Sequence, residues 1–249
     1  MTAARRHVAP PSTPSAPWRV AGVDALRGIA IVAMAAYHLA FDLRWLGVTH
    51  PDFEHAWPWL AARATILGAF LLLVGVSLAL AARAGVTWRH HLARVTRIAA
   101  CALAVSIASY VMFPQSFIYF GVLHAIALVS LAAWPLRARP RAATAIGAAI
   151  VVAGLAIAHP AFDPRPVSWI GFVAHKPRTE DFVPLFPWAG LVLLGIGVGH
   201  ALARSGFFML RPLARAPAWL ALLGRHALLV YMIHQPLLVG ALWLVLQAR

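Results

Sequence analysis

The sequence predicts an all-α polytopic membrane protein with about seven transmembrane helices. Three observations support this fold class. Hydrophobic residues make up 62% of the 249-residue chain and charged residues only 11%, against about 25% charged residues in typical soluble domains. Apolar stretches long enough to cross a bilayer recur along almost the whole chain, which leaves no room for a second soluble domain. The connections between these stretches alternate between basic and neutral or mixed composition.

The chain opens on a basic segment that is rich in proline. Residues 1–20 are dominated by Pro, Ala, Ser and Arg, a composition that favours disorder. The apolar stretch that follows is longer than the core of a signal peptide and has no convincing cleavage site, so we interpret it as a retained span. The predicted organisation is a disordered cytoplasmic tail (1–20) followed by one membrane domain (21–249).

Seven apolar segments are predicted to span the membrane. They are residues 21–42, 58–82, 95–113, 116–135, 142–159, 184–203 and 219–246. The connections after the second, fourth and sixth segments are basic, and the other three are neutral or mixed. By the positive-inside rule, this alternation predicts a cytoplasmic N-terminus and an outside C-terminus. The net charge of +14 therefore indicates topology and membrane lipids, or an anionic cytosolic cofactor, rather than nucleic acid.

The first segment carries ionisable groups at both ends. Asp24 and Arg27 lie at its inner end, and His38 and Asp42 at its outer end. Such groups are costly at membrane depth and mark functional sites. Eleven residues separate Arg27 from His38, which is about 16 Å along a helix and within about 20° of one face. Asp42 follows one turn beyond His38 on that face. The spacing predicts a polar stripe from an anion-binding group near the cytosol to a titratable base near the outer surface.

Two later segments each carry a further histidine. His124 lies in the fourth segment, about 12 Å inward from its predicted outer start. His234 lies in the last segment, two residues before Pro236, which removes a backbone hydrogen bond and should kink the helix. Both histidines are candidate catalytic groups, and for both a hydrogen-bonded interhelical histidine is the structural alternative.

Charged residues also mark the predicted membrane surfaces. Arg225 lies at the inner end of the last segment, while Arg63 and Asp181 lie at the outer rim. Asp181 ends a long outer connection, residues 160–183. Connections of this length are usually lids, binding loops or disordered segments.

Four motifs, in order, resemble a known family. They are Asp24-Ala-Leu-Arg27-Gly28 followed by His38-Leu-Ala-Phe-Asp42, then Phe120-Gly121-Val-Leu-His124, Asp181-Phe-Val-Pro-Leu-Phe-Pro-Trp188 and Gly224-Arg-His-Ala-Leu-Leu-Val-Tyr-Met-Ile-His234-Gln-Pro236. Together they resemble the bacterial heparan-alpha-glucosaminide N-acetyltransferase catalytic-domain-like proteins over nearly the whole chain after residue 20. The spacing of Arg27 and His38 is also similar to a motif of the type 3 membrane acyltransferases, and both families are grouped as transmembrane acyltransferases.

The resemblance implies transfer of an acyl group, acetyl from cytosolic acetyl-CoA, to a sugar or glycan acceptor at the outer face of a bacterial inner membrane. Such a reaction needs a base, a donor to the developing oxyanion and a grip on the cofactor. His38 fits the base because imidazole titrates near neutral pH, and Asp42 fits a group that orients it. His124 or His234 could donate to the acyl carbonyl or bind the acceptor, and which of the three histidines is the base stays open.

The remaining candidates are binding residues. Arg27 suits a phosphate because a guanidinium makes paired hydrogen bonds, and Asp24 and Arg225 accompany it as candidate cofactor-binding residues. Arg63 and Asp181 are the candidate acceptor-binding residues, with solvated rim charges as the alternative. No metal is expected, and the sequence leaves open whether the protein forms a homo-oligomer.

Two other functions fit parts of the pattern. A small-molecule transporter would explain helices interrupted by Gly and Pro and polar groups at membrane depth, but the chain shows no internal repeat. A haem-binding redox protein needs two histidines at similar depth on facing helices. Counted along their helices, His38 and His234 are expected to match in depth only loosely.

Overall fold

A computed structural model of the chain describes residues 20–53 and 55–247. The predicted disordered tail (1–20) lies outside the described residues, apart from Val20. Ten α-helices make up most of the described chain. They are α1 (Ala21–Trp45), α2 (Trp57–Arg83), α3 (Trp88–Met112), α4 (Val122–Ala132), α5 (Pro140–Ala156), α6 (Arg165–Ser168), α7 (Leu185–Arg204), α8 (Arg211–Ala214), α9 (Ala218–Arg225) and α10 (Ala227–Gln247). Within the described ranges, β-structure is limited to one isolated bridge between Phe120 and Phe182.

The all-helical, multi-pass fold class is confirmed. Five helices are long and apolar enough to cross a membrane: α1, α2, α3, α7 and α10. The apolar helices α4 and α5 are shorter and fall within the fourth and fifth predicted segments, apart from the first residues of α5. The count of seven spans and the sides on which the termini lie stay predictions.

The first part of the fourth predicted segment is not helical. Helix α4 begins only at Val122, and the chain before it lies against the end of the long outer connection. The carbonyl of Ser116 accepts a hydrogen bond from the backbone of Glu180, and that of Phe120 accepts one from Val183. The predicted depth of His124, about 12 Å into its helix, is therefore wrong, because His124 lies in the first turn of α4.

Two other helix boundaries differ from the predicted ones. The third helix begins at Trp88 rather than at residue 95, so Arg94 lies within α3 instead of in the basic connection before it. The last predicted segment is divided at His226, where the backbone leaves helical geometry, into α9 and α10.

Helix α1 runs antiparallel to α2, whereas the last predicted segment advances along α1 in the same direction from Gly224 to His234. Arg27 bonds Ser77 near one end of the first pair, and Tyr37 packs on Trp59 near the other. Gly28 also packs against Gly224, at the start of the last segment. His38 meets His234 further along, 196 positions away, the same offset as between the glycines, so the helices advance together.

Glycine allows the closest of these helix contacts. A Cβ on Gly224 would lie 1.8 Å from the carbonyl oxygen of Asp24, and one on Gly28 would lie 2.0 Å from that of Leu220. A Cβ on Gly75 of α2 would similarly lie 1.9 Å from the carbonyl oxygen of Val192 in α7. Close approach of backbones through small residues is the usual basis of helix packing in membranes.

Candidate active site

The contacts of α1 with the last two helices divide the polar residues into two groups. Near the N-terminal end of α1 lie Asp24, Arg27 and Arg225, which we call the inner cluster. Eleven residues further along α1, about 16 Å away by helical rise, lie His38 and His234, which we call the histidine pair. The stripe predicted on α1 is thus completed by residues from α9 and α10.

The two rings of the histidine pair are in direct contact. Nδ1 of His38 lies 2.7 Å from Nε2 of His234. The ring planes are within 14° of each other and the centroids are 4.9 Å apart. This centroid distance is much longer than the nitrogen–nitrogen distance, so the rings meet edge to edge in nearly one plane. That arrangement suits a hydrogen bond between the ring nitrogens.

The backbone of α10 fixes which nitrogens of the neutral pair carry hydrogen. Nδ1 of His234 lies 2.6 Å from the carbonyl oxygen of Tyr231. A carbonyl only accepts, so this nitrogen donates, and a neutral imidazole has only one N–H. Nε2 of His234 therefore accepts, and Nδ1 of His38 donates to it. The remaining nitrogen, Nε2 of His38, is left with a lone pair.

That lone pair is accessible. His38 is half-buried, and its Nε2 makes no hydrogen bond within residues 20–53 and 55–247. It is also absent from the buried polar atoms that lack a partner there. His234, in contrast, is buried, with 8% of its surface exposed. The pair thus presents one basic nitrogen, on His38, to a ligand.

Asp42 is not hydrogen-bonded to His38. Its Oδ1 accepts a hydrogen bond of 2.7 Å from Nε2 of Gln235, the residue after His234. Asp42 is 3% exposed, so it lies inside the α1–α10 contact rather than at a solvated helix end. The structure thus places His234, not Asp42, in contact with the predicted base.

The predicted rim residues lie beyond the histidine pair. Oδ2 of Asp181 accepts a hydrogen bond of 2.8 Å from the backbone N–H of Val122, and it thereby caps α4. Its carboxyl group lies within electrostatic range of Arg63 and of the Tyr231 hydroxyl. Arg63 is exposed and also lies within electrostatic range of the Tyr37 hydroxyl. These charges therefore surround the same end of the helix bundle as the histidine pair.

The inner cluster combines one buried carboxylate with two guanidinium groups. Arg27 bonds Oδ1 of Asp24 at 2.8 Å and Oγ of Ser77 at 2.8 Å. Nε of Arg225 lies 3.6 Å from Oδ2 of Asp24. A third guanidinium, that of Arg94 on α3, is within electrostatic range of Arg27. Three positive charges around one carboxylate leave the cluster with a net positive charge, which favours an anion.

His124 is hydrogen-bonded through both ring nitrogens, and neither partner belongs to the histidine pair. Its Nδ1 accepts from the backbone N–H of Gly121 at 3.2 Å, so in the neutral ring Nε2 carries the hydrogen. Nε2 then donates to Oγ of Ser106 at 3.1 Å, and this hydroxyl donates to the carbonyl of Ile118. The side chain ties α3 to the start of α4.

The long outer connection is folded against the rest of the chain. It contains α6, and its end pairs with residues 116–120. Asp163 accepts hydrogen bonds from the backbone of Ala174 and from the backbone and ring of His175. These bonds hold the pKa of the Asp163 carboxyl below its ordinary value of 3.8. This connection is therefore ordered, rather than an extended linker.

Comparison with known proteins identifies the family. The sequence model of one family, described as heparan-alpha-glucosaminide N-acetyltransferase, catalytic, matches residues 19–236. The chain belongs to this family. No curated protein and no solved structure matches. The match includes all the candidate residues discussed above, and it gives a membrane acyltransferase as the coarse function of the chain.

The structure brings three further residues to the candidate site that the sequence patterns do not indicate: Arg94, Tyr231 and Gln235. From the sequence, Arg94 falls in a basic connection and indicates only topology, whereas the structure places it inside α3 and within electrostatic range of Arg27. Gln235 and Tyr231 are close to His234 in the sequence. Nothing in their spacing indicates that Gln235 bonds Asp42 or that the Tyr231 carbonyl bonds the His234 ring.

One argument against a haem site is also wrong. His38 and His234 do not differ in depth, because they touch. Their contact instead leaves no room for an iron ion between the two nitrogens in this arrangement.

Proposed function

We propose that this protein transfers an acetyl group from cytosolic acetyl-CoA to a sugar or glycan acceptor at the outer face of a bacterial inner membrane, with His38 as the general base. The observation that carries the proposal is the histidine pair. A backbone carbonyl, a buried histidine and a half-buried histidine form one directed chain of hydrogen bonds. The chain leaves a single accessible lone pair, where an acceptor N–H or O–H would deliver its proton.

His234 supports the base in this mechanism. When His38 takes the proton of the acceptor at Nε2, it becomes a cation whose Nδ1–H still donates to His234. The neutral His234 accepts that bond and remains oriented by Tyr231. It therefore takes the part that a carboxylate takes in a hydrolase triad, holding the imidazole and its tautomer. Proton return to the departing thiolate of CoA would restore the neutral pair.

The inner cluster is the proposed grip on the donor. A guanidinium forms paired hydrogen bonds with phosphate, and Arg27, Arg94 and Arg225 approach one another from three helices. Asp24 holds Arg27 and Arg225 in place and is itself nearly buried. With the phosphates of CoA at this cluster, the pantetheine arm would extend along α1 toward His38, so CoA itself would not cross the membrane.

The opposite end of the bundle is the proposed acceptor side. Arg63 and Asp181 lie there with Tyr37 and Tyr231, and hydroxyl-rich ligands suit such a mixture of donors and acceptors. Because Asp181 also caps α4, we assign it a partly structural role. His124, with both nitrogens bonded, is proposed to position this region rather than to transfer a proton.

The test uses the purified protein in lipid nanodiscs with acetyl-CoA and glucosamine or a lipid-linked glycan. Wild-type protein should be stabilised thermally by acetyl-CoA and should transfer the acetyl group. His38→Ala should keep the stabilisation and lose transfer, whereas Arg27→Ala should lose the stabilisation. A wild-type protein that neither binds acetyl-CoA nor acetylates any of these acceptors would refute the proposal.

A further inference from the structure

Beside the histidine pair, the contact between Asp42 and Gln235 leaves two oxygens without a hydrogen-bond donor if Asp42 is ionised. Asp42 and Gln235 share one hydrogen bond, from Nε2 of the amide to Oδ1 of the carboxyl, at 2.7 Å. The other two oxygens, Oδ2 of Asp42 and Oε1 of Gln235, are both buried and both lack a partner. Two buried acceptors without a donor are costly, and the cost is greatest if one of them is charged.

Among residues 20–53 and 55–247, no side chain or backbone group donates to these two oxygens and no cation pairs with Asp42. Asp42 is 3% exposed, and none of the ion pairs among the described residues includes it. His38 lies one turn earlier on α1 and His234 lies beside Gln235 on α10, and the hydrogen bonds of both rings go to other partners. Turning the Gln235 amide over would place an oxygen against Oδ1 and would lose the existing bond.

We infer that Asp42 is a neutral carboxylic acid whose proton, on Oδ2, is donated to Oε1 of Gln235. A carboxylic acid and a primary amide are complementary, since each offers one donor and one acceptor on adjacent atoms. One proton then satisfies both orphaned oxygens and closes a ring of two hydrogen bonds. The charge that would be so costly between two membrane helices is removed at the same time.

This pair gives Asp42 and Gln235 a positioning role. His38 and Asp42 are one turn apart on α1, and His234 and Gln235 are adjacent on α10. A double hydrogen bond between Asp42 and Gln235 therefore fixes the register in which the two rings meet. The inference rests on the proposed function only for its activity measurement, because the protonation state can be observed without any substrate.

The first experiment is infrared difference spectroscopy of wild-type protein against Asp42→Asn in nanodiscs at neutral pH. The chain has seven acidic residues, so the carboxyl region is sparse and the signals of the other six cancel. We expect a carbonyl band of a protonated carboxyl in the wild type that is missing from Asp42→Asn. Its replacement by the bands of an ionised carboxylate would overturn the inference.

The second experiment compares two substitutions at the same position. Asn keeps both hydrogen bonds, because its amide accepts from Gln235 and donates to Oε1, whereas Leu keeps neither. We expect Asp42→Asn to retain the thermal unfolding midpoint and at least tenfold more transfer activity than Asp42→Leu. An Asn variant as inactive and as unstable as the Leu variant would contradict the inference, since only an ionised carboxylate would then fit the site.

The pH dependence separates this role from simple packing. In the wild type, alkaline pH removes the shared proton and should lower both the unfolding midpoint and the activity. Asp42→Asn has no proton to lose and should not show that alkaline decline. The same decline in both proteins would contradict the inference. A protonated carboxyl band in a protein that transfers no acetyl group would instead overturn the proposed function alone.

Discussion

Nδ1 of His38 lies 2.7 Å from Nε2 of His234, although the residues are 196 positions apart in the chain. The contact joins the first and last membrane helices of the fold, and the carbonyl of Tyr231 gives it a direction. Both hydrogen bonds of the neutral pair are donated toward the Tyr231 carbonyl, which leaves a lone pair on Nε2 of His38. Of the three histidines considered from the sequence, only His38 therefore presents a free basic nitrogen. The predictions below test the elements that maintain this contact and the groups around it.

The glycine contact between α1 and α9 should be necessary for the histidine pair. A Cβ at Gly28 or Gly224 would overlap backbone atoms of the other helix, so Gly28→Ala and Gly224→Ala should force the helices apart. Overpacking of this kind costs about 1–3 kcal/mol, and we expect a lower unfolding midpoint together with a loss of transfer activity. Gly240→Ala is the control, because a Cβ there meets nothing within 4 Å. Equal tolerance of all three substitutions would rule out the close packing.

The inner cluster should determine affinity for the donor. Removing a guanidinium that binds phosphate costs about 1.5–3 kcal/mol, so Arg27→Ala and Arg94→Ala should each raise the KM for acetyl-CoA about tenfold or more, with a smaller change in kcat. Arg204→Ala is the matched control, since this exposed arginine ends α7 outside the cluster. Steady-state kinetics with varied acetyl-CoA measure the effect. A KM that responds equally to all three substitutions would indicate only a general charge effect.

His124 and His38 should differ when each is replaced. General base catalysis contributes about 10²–10⁴-fold, so His38→Ala should lower kcat by that factor at an unchanged unfolding midpoint. His124→Ala removes the link between α3 and α4 and should lower the unfolding midpoint with a much smaller effect on kcat. The two measurements on each variant decide the assignment, and the reverse pattern would make His124 the base.

The outer connection should loosen in acid. The Asp163 carboxyl is bonded to His175 and to backbone N–H groups, which lowers its pKa below 3.8. A lowered folded-state pKa stabilises the fold above the ordinary pKa, and this contribution is lost as the pH falls through the lowered value. Hydrogen exchange at Ala174 and His175 should therefore accelerate only below about pH 3.8. Asp163→Asn should show less protection at every pH, and wild-type protection that is independent of pH would contradict this.

The helical class and the stripe on α1 are predictable from the sequence because both depend on local periodicity and composition. Arg27 and His38 are brought to one face by helical geometry alone. The partner of His38 could not be predicted in the same way. Its depth depends on where α10 begins, and the division at His226 is not marked by a proline or glycine at that position. A depth for His234 counted from the predicted start of the last segment therefore differs from the depth of His38, although the two rings are in contact.

The start of α4 is likewise not predictable from the sequence, because it depends on distant contacts. Hydropathy continues from residue 116 into the helix, but the backbone before Val122 finds its hydrogen bonds in the distant end of the outer connection. Asp181 caps the helix from 59 positions away, and such a contact leaves no local pattern. Helical spacing alone predicts that Asp42 lies on the polar face of α1. Its contact with Gln235 is not predictable in this way, because it depends on the register between α1 and α10.

A double-mutant cycle on the histidine pair tests the central claim most directly. Acetyl transfer in nanodiscs is measured for wild-type protein, His38→Ala, His234→Ala and the double variant under single-turnover conditions. Residues that act as one unit have strongly non-additive effects, so the double variant should be no slower than His38→Ala alone, and His234→Ala should be intermediate. Effects that multiply in the double variant, or a His38→Ala protein that transfers at the wild-type rate, would contradict a base on His38 that is oriented by His234.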